Sequence, residues 1–195
     1  IYEGELSEEF EPEGYGVMNY PDGSVYSGYW QGGLWNGTGT HRSKTICEYV
    51  KKIPNKISTP YLSLMMNNSN HETEDLICSS DPSYTGQWQE GERHGNGTSR
   101  DIFGNRYTGN WDGNLIVGVA QIEYANGEIY EGELSEELEP QGNGVMTYPD
   151  GSVYSGTWQE GKRHGTGKLT YLDGRVYEGS WRYDVFQNKS NQFSI

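Results

Sequence analysis

Hydrophobic and polar positions alternate along most of this chain, in short runs broken at regular intervals by glycine. Between Tyr154 and Gly174, the side chains of Tyr154, Gly156 and Trp158 fall on one side of an extended backbone, with polar residues between them. Gly161, Gly165 and Gly167 interrupt the run, Leu169 and Tyr171 begin a second alternation, and Asp173-Gly174 marks a turn. Two short strands around a glycine-rich turn are predicted. Tyr177, Gly179 and Trp181 then restart the same pattern.

The restart recurs through the chain. Units open at Tyr2, Tyr26, Tyr84, Tyr107, Tyr130, Tyr154 and Tyr177, with a period of 23 or 24 residues and one gap of 58. Glycine follows each opening tyrosine by two positions. Two further on stands Trp30, Trp88, Trp111, Trp158 or Trp181, with Leu6 and Leu134 in the other two units. Such an array grows by adding units rather than by enlarging one core. An aromatic side chain at every unit also removes enough area from water to stabilise a thin sheet. A glycine between the two aromatics is expected to leave room for a neighbouring ring.

The breaks in the pattern are informative. Residues 1–33 and 129–161 match at 27 of 33 positions, so a block of repeats is duplicated, and each copy carries an acidic turn in place of the tryptophan-containing one. The fourth unit is worn: Val117 and Ala120 stand where histidine and the second glycine are usual. The chain divides into a repeat pair at 1–40, an insertion at 41–83, further repeats at 84–183 and a tail at 184–195 that would cover the last strand edge. Within the insertion, Ile46, Tyr49, Val50 and Ile53 have helical spacing, and Pro54 would end that helix. An insertion this long inside an array is expected to be functional. Its apolar residues Ile46, Tyr49, Ile53, Tyr61, Leu62, Leu64 and Met65 are the expected partner contacts.

Composition fits this picture. Hydrophobic residues make up 32% of the chain but aromatics reach 13%, and there are 28 glycines. The formal charge is −14, and the insertion, with five basic and five acidic residues, contributes none of it. An acidic surface does not displace counterions from nucleic acid or from anionic lipid, so neither is the expected partner. Protein partners or a large complex are expected, and self-association stays open. No apolar run is long enough to span a bilayer as a helix. The sequence begins in mid-repeat at Ile1 without Met, which reads as a processed or partial product.

The consensus Y-x-G-x-W-x-x-G-x-x-H-G-x-G-x-x-x-Y-x-x-G closely resembles the MORN repeat (membrane occupation and recognition nexus), best at residues 84–106 and 154–176. The family's glycine-histidine turn falls on Gly91, His94, Gly95 and Gly97, and on Gly161, His164, Gly165 and Gly167; Asn36 replaces the histidine in the second unit. The resemblance implies an all-β fold, an elongated stack of β-hairpins forming one twisted antiparallel sheet with one inserted segment. Tyr2, Tyr26, Trp30, Tyr84, Trp88, Tyr107, Trp111, Tyr130, Tyr154, Trp158, Tyr177 and Trp181 are its structural aromatics. It also implies a non-catalytic scaffold for protein–protein interaction, acting as a structural subunit of a larger cytoskeletal, ciliary or organellar assembly inside the cell. A membrane-associated module and an accessory region of a larger enzyme are the alternatives.

Signals for chemistry are weak. His94 and His164 recur at a structural position, whereas an active site occurs once, so each is expected to hydrogen-bond the backbone of a neighbouring hairpin. The stretch Gly156–Arg163 approximates a phosphate-binding loop but ends in arginine where a serine or threonine is required. His41, Cys47, His71 and Cys78 have no familiar zinc spacing, and a Cys47–Cys78 disulfide and free thiols both stay open. Glu8, Glu9, Glu11 and Glu13 read as a solvated turn rather than a calcium loop. Four Asn-x-Ser/Thr sequons begin at Asn36, Asn67, Asn96 and Asn188, two of them within Asn-Gly turns. No catalytic residue, cofactor or metal is expected.

Overall fold

A computed structural model describes residues 1–44 and 82–187, together with the backbone of 47–50 and 75–78. Alternation of side chains on either side of glycine produces strands, and each repeat contributes two. In chain order the hairpins are β1 (Tyr2–Leu6) with β2 (Pro12–Asn19), and β3 (Val25–Gln31) with β4 (Leu34–Arg42). After β5 (Cys47–Val50) and β6 (Asp75–Cys78) come β7 (Ser83–Gln89) with β8 (Glu92–Arg100), and β9 (Arg106–Asp112) with β10 (Leu115–Glu123). The array closes with β11 (Ile129–Leu134) and β12 (Pro140–Thr147), β13 (Val153–Gln159) and β14 (Lys162–Thr170), and β15 (Val176–Arg182) and β16 (Val185–Phe186). Fourteen of these form a single antiparallel sheet in sequence order, with β4 paired directly to β7. At about 4.8 Å per strand the sheet extends roughly 60 Å.

Two kinds of turn alternate. Within a repeat, Glu160 (φ 52) and Gly161 (φ 71) form a two-residue turn between β13 and β14, both in the left-handed region that matches the twist of a hairpin. Between repeats the loop is longer. Tyr148 N–H donates to the Ser152 carbonyl at 2.9 Å, and the Asp150 carboxylate accepts from the Ser152 N–H at 2.8 Å and from its hydroxyl at 2.6 Å. The acidic turns of the first and fifth repeats are compact, with Phe10 and Leu138 at positive φ and Ser7 and Ser135 closing each loop.

The helix expected around Tyr49 does not form. Cys47–Val50 is a strand, and its backbone pairs antiparallel with Asp75–Cys78, placing Cys47 opposite Cys78 and Tyr49 opposite Leu76. Cross-strand pairing with a distant segment overrides a local helical period four residues long.

One row of residues organises the sheet. Gly4, Gly16, Gly28, Gly39, Gly86, Gly97 and Gly109 lie opposite one another from strand to strand, and Gly132, Gly144, Gly156, Gly167 and Gly179 continue the row. Ala120, opposite Gly132, breaks it. Tyr2, Tyr26, Tyr84, Tyr130 and Tyr154 each lay the ring over the glycine pair of their own hairpin: a Cβ on Gly167 would overlap the Tyr154 ring and hydroxyl. The glycine therefore makes room for its own repeat's ring, where a neighbouring ring was expected.

Candidate interaction surface

The inner face is an aromatic ladder built from the glycine row outward. The repeat tryptophans sit edge-on between successive tyrosines, with Trp158 at 5.4 Å from Tyr130 and 5.1 Å from Tyr154, and Trp181 at 5.3 Å from Tyr154. Each indole N–H crosses to a glycine carbonyl of the previous hairpin. Trp30 donates to Gly16 at 3.3 Å, Trp88 to Gly39 at 3.2 Å, Trp111 to Gly97 at 3.1 Å, Trp158 to Gly144 at 3.2 Å and Trp181 to Gly167 at 3.1 Å. The missing side chain thus also opens the carbonyl that the next repeat needs. Tyr26, Tyr84, Tyr107, Tyr130, Tyr154 and the five tryptophans are buried, whereas Tyr2 and Tyr177, at the two ends, remain partly open. Phe186 packs on Trp181 and Tyr177 at the far end.

A second inner row varies. Opposite Trp30, Trp88 and Trp158 stand Trp35, Arg93 and Arg163. Arg93 lies 4.2 Å over the Trp111 ring and donates to the Asn114 carbonyl at 2.8 Å. Arg163 lies 4.7 Å over Trp181 and bonds the Asp184 carboxylate at 3.0 Å. Trp35 instead stacks flat on Tyr26 at 4.5 Å, and His41 packs against it at 4.9 Å. Burial is the larger influence on His41 and pushes its pKa down, outweighing the nearby Asp22 carboxylate, so the imidazole is neutral at neutral pH. Between Trp35 and Arg93 the ladder opens into a cleft of about 300 Å³, lined also by Tyr84, Trp88 and Asn114. Ser43 and Pro82, bonded backbone to backbone at 2.8 Å, stand at its rim, where the insertion leaves the sheet.

The turn histidines are arranged differently from the sequence expectation. His94 Nδ1 faces the Asp112 carboxylate at 3.4 Å. The His164 ring packs edge-on against Tyr183 at 4.8 Å, and its Nδ1 has no hydrogen-bond partner among the described residues. Neither imidazole reaches a neighbouring backbone carbonyl, because both project from a bulged strand toward side chains of the next hairpin. Gly156–Arg163 forms β13, its turn and the start of β14, so it lacks the helix N-terminus a phosphate-binding loop requires. Among the described residues no three of His, Cys, Asp and Glu are grouped to hold a metal.

The outer face is mostly polar, with single exposed apolar residues such as Leu34, Ile129, Val145 and Val176, and in two places exposed apolar or aromatic side chains are grouped. On β10, Leu115, Val117 and Val119 are all exposed, the last at 63%. The equivalent positions of β8 and β14 hold Glu92, His94 and Asn96, and Lys162, His164 and Thr166. On β2 and β3, Tyr15 and Tyr29 face one another at 5.7 Å, edge to face and about half exposed. The sequence marked Val117 as a departure from the repeat, but neither place was read as a surface from sequence. The duplicated block held a signal for the second, since Tyr15 and Tyr29 are among its six mismatches. Of the partner contacts expected in the insertion, Tyr49 lies on β5, while Ile46, Ile53, Tyr61, Leu62, Leu64 and Met65 fall outside the described residues.

Comparison with known proteins agrees with this architecture. The family model for the MORN repeat matches residues 11–25, 26–45, 84–101, 107–129, 139–153, 154–174 and 177–189. The chain is 29% identical over 169 residues to alsin of Homo sapiens and 30% identical over 165 residues to alsin of Rattus norvegicus. In both cases 78% of this chain is covered, and it spans about 9% of the length of those relatives. A solved structure of the Drosophila melanogaster SAS-4 TCP domain with a proline-rich motif superposes with a TM-score of 0.37 at 14% identity, covering 91% of this chain and 94% of that one. That score is too low to establish a common fold.

Proposed function

The chain belongs to the MORN-repeat family, and from that premise we propose that it works as a non-catalytic scaffold whose open sheet holds protein partners in a larger assembly. The observation that carries the reading is the division of labour between the faces. Inner-face rings and glycines are consumed by the fold, with each indole bonded to the preceding hairpin. The outer face exposes Val117 and Val119 at positions where β4, β8 and β14 carry polar groups, and Leu115 beside them at a position that is also apolar in β4, as Leu34. Exposed apolar side chains contribute nothing to the hairpin stack, and contiguous ones mark contact surfaces. The acidity of the chain weighs against an anionic membrane as the main partner. The assembly we propose is cytoskeletal, ciliary or organellar, the settings the family resemblance implies, with the insertion supplying further contacts.

Affinity capture tests the reading. A partner held by the wild-type chain should be lost from the variant Val117→His/Val119→Thr, which copies the sixth repeat and keeps the fold. Deletion of residues 43–80 should change the captured set if the insertion contributes. Flotation of the chain with phosphatidylserine vesicles, together with no captured protein, would replace the scaffold by a membrane module.

A further inference from the structure

We infer that the outer face of β2 and β3 is a docking site for an arginine-bearing segment of a partner protein, built from the Tyr15–Tyr29 ring pair and the carboxylates of Glu3 and Glu5. This extends the partner-binding reading to a second surface, separate from Leu115, Val117 and Val119.

The molecule supplies its own control for what the scaffold needs here. The blocks 1–33 and 129–161 share 27 of 33 residues and the same pairing, with β1–β3 matching β11–β13 strand for strand. In the second copy Asn143 and Thr157 replace Tyr15 and Tyr29. Thr157 works locally: its hydroxyl accepts from the Thr166 N–H at 3.0 Å and bonds the His164 carbonyl, tying down the bulge. Other repeats make the same local bond, Gln87 accepting from the Asn96 N–H at 3.0 Å and Glu133 from the Asn143 N–H at 3.4 Å. Tyr29 gives up that bond and turns its ring outward against Tyr15, whose hydroxyl is 2.9 Å from the Ser27 hydroxyl. The second copy therefore shows that the hairpin forms without the pair. Two half-exposed rings held edge to face form a rigid platform.

Charge says what fits the platform. β1 runs beside it and places Glu3 opposite Val17, with Glu5 opposite Glu13. Glu3 and Glu5 are exposed, whereas Glu13 already accepts the Gly32 N–H at 3.0 Å. The basic residue Arg42 on β4 stands opposite Val25, four residues along from Tyr29. Aromatic faces beside two carboxylates that have no hydrogen-bond or ion-pair partner among the described residues suit a guanidinium, which stacks flat on a ring while its fork reaches a carboxylate. The inner face makes the same choice with Arg93 over Trp111 and Arg163 over Trp181. A wholly apolar occupant would strip water from the glutamates without replacing it, and an anionic lipid surface would be repelled by them.

The test is titration of the full chain, by calorimetry at physiological salt, with a capped Gly-Arg-Gly-Arg-Gly peptide. Tyr15→Asn/Tyr29→Thr leaves the charge unchanged and installs residues already accommodated by the second block, so it should fold and bind the peptide about tenfold more weakly. The reciprocal variant Gln141→Glu/Asn143→Tyr/Thr157→Tyr should add a second equivalent site. The lysine version of the peptide should bind the wild type more weakly than the arginine version. Equal affinity for wild type and Tyr15→Asn/Tyr29→Thr would overturn the proposal, because net charge alone would then account for binding. A wild-type dimer abolished by the same pair of changes, with no peptide binding, would overturn it in favour of a second copy of the chain. Neither result bears on a partner lost through Val117 and Val119.

Discussion

Tyr107 donates its hydroxyl hydrogen to the Asp101 carboxylate at 3.0 Å, whereas Tyr154 donates to the Thr157 carbonyl at 3.2 Å. The Tyr154 pattern, a bond to the carbonyl three residues ahead, is shared by Tyr2, Tyr26, Tyr84 and Tyr130. Two side chains account for the exception. Ala120 occupies the glycine row beside Gly109 and the Ile116 side chain lies against the same spot, where the Tyr107 ring would otherwise lie, and the phenol turns toward the inter-repeat loop. The same position explains a second departure. Trp30, Trp88, Trp111, Trp158 and Trp181 donate to row glycine carbonyls of the previous hairpin, and the residue that would reach Ala120 is Leu134, whose side chain has no N–H to place there.

Installing alanine elsewhere in the row should reproduce the defect at a cost. Gly167→Ala would drive a methyl into the buried Tyr154 ring, and overpacking of this kind costs about 1–3 kcal/mol. Urea denaturation should show the loss, and near-ultraviolet circular dichroism should show Tyr154 displaced. Unchanged stability would mean that the ring does not need the row.

Removing a rung should cost more. Trp158 is buried between Tyr130 and Tyr154 and bonded to Gly144, so Trp158→Ala should destabilise the fold by roughly 3–5 kcal/mol. Trp158→Phe, which keeps a ring and loses the indole N–H, should cost less. Thermal melting of both variants checks the order.

The end of the array depends on a fork. Arg163 bonds the Asp184 carboxylate and, at 3.2 Å, its carbonyl, while lying over Trp181. Lysine cannot make the paired contact or stack as a plane, so Arg163→Lys should weaken the β15–β16 hairpin by about 1 kcal/mol. Faster hydrogen exchange of the Phe186 amide, with little change in β11 to β13, is the expected signature.

High pH should dismantle the ladder. Burial, the largest influence, raises Tyr107 and Tyr148 to about 12, and it also raises Tyr26, Tyr124 and Tyr130. The unfolded chain loses these protons near the ordinary tyrosine value of about 10, while the folded chain keeps them. Stability is therefore intact below that value and falls as pH rises toward the folded values, by roughly 1.4 kcal/mol per pH unit for each such tyrosine. Phenolate absorbance should rise together with loss of the β-sheet signal; phenolate formation on an intact sheet would contradict the burial.

Periodicity alone delivers the all-β architecture, the strand pairs and the identity of the buried aromatics, because an alternation that recurs every 23 or 24 residues has few ways to bury one face. The duplicated acidic turns are equally legible. The insertion is less so: a four-residue apolar period around Tyr49 is compatible with helix or strand, and the partner strand Asp75–Cys78 lies too far along the chain for a local pattern to reveal. The spacing of His94 placed it with the glycine-rich turn, whereas it lies on β8, and its partner Asp112 depends on which hairpin lies beside it.

The sequence by itself determined the repeat, its two strands per unit and the turns between them, since all of these are set by local alternation and turn chemistry. Only the tertiary structure decided that the glycine row serves its own tyrosine and the next tryptophan at once, because both contacts require the strands to be laid side by side. It also decided which breaks in the pattern matter. Along the chain Ala120 marks a worn repeat without showing its consequence, and Tyr15 and Tyr29 are two of six mismatches between the duplicated blocks. In the sheet, the first removes space a ring would use, and the other two place rings where the fold has no use for them.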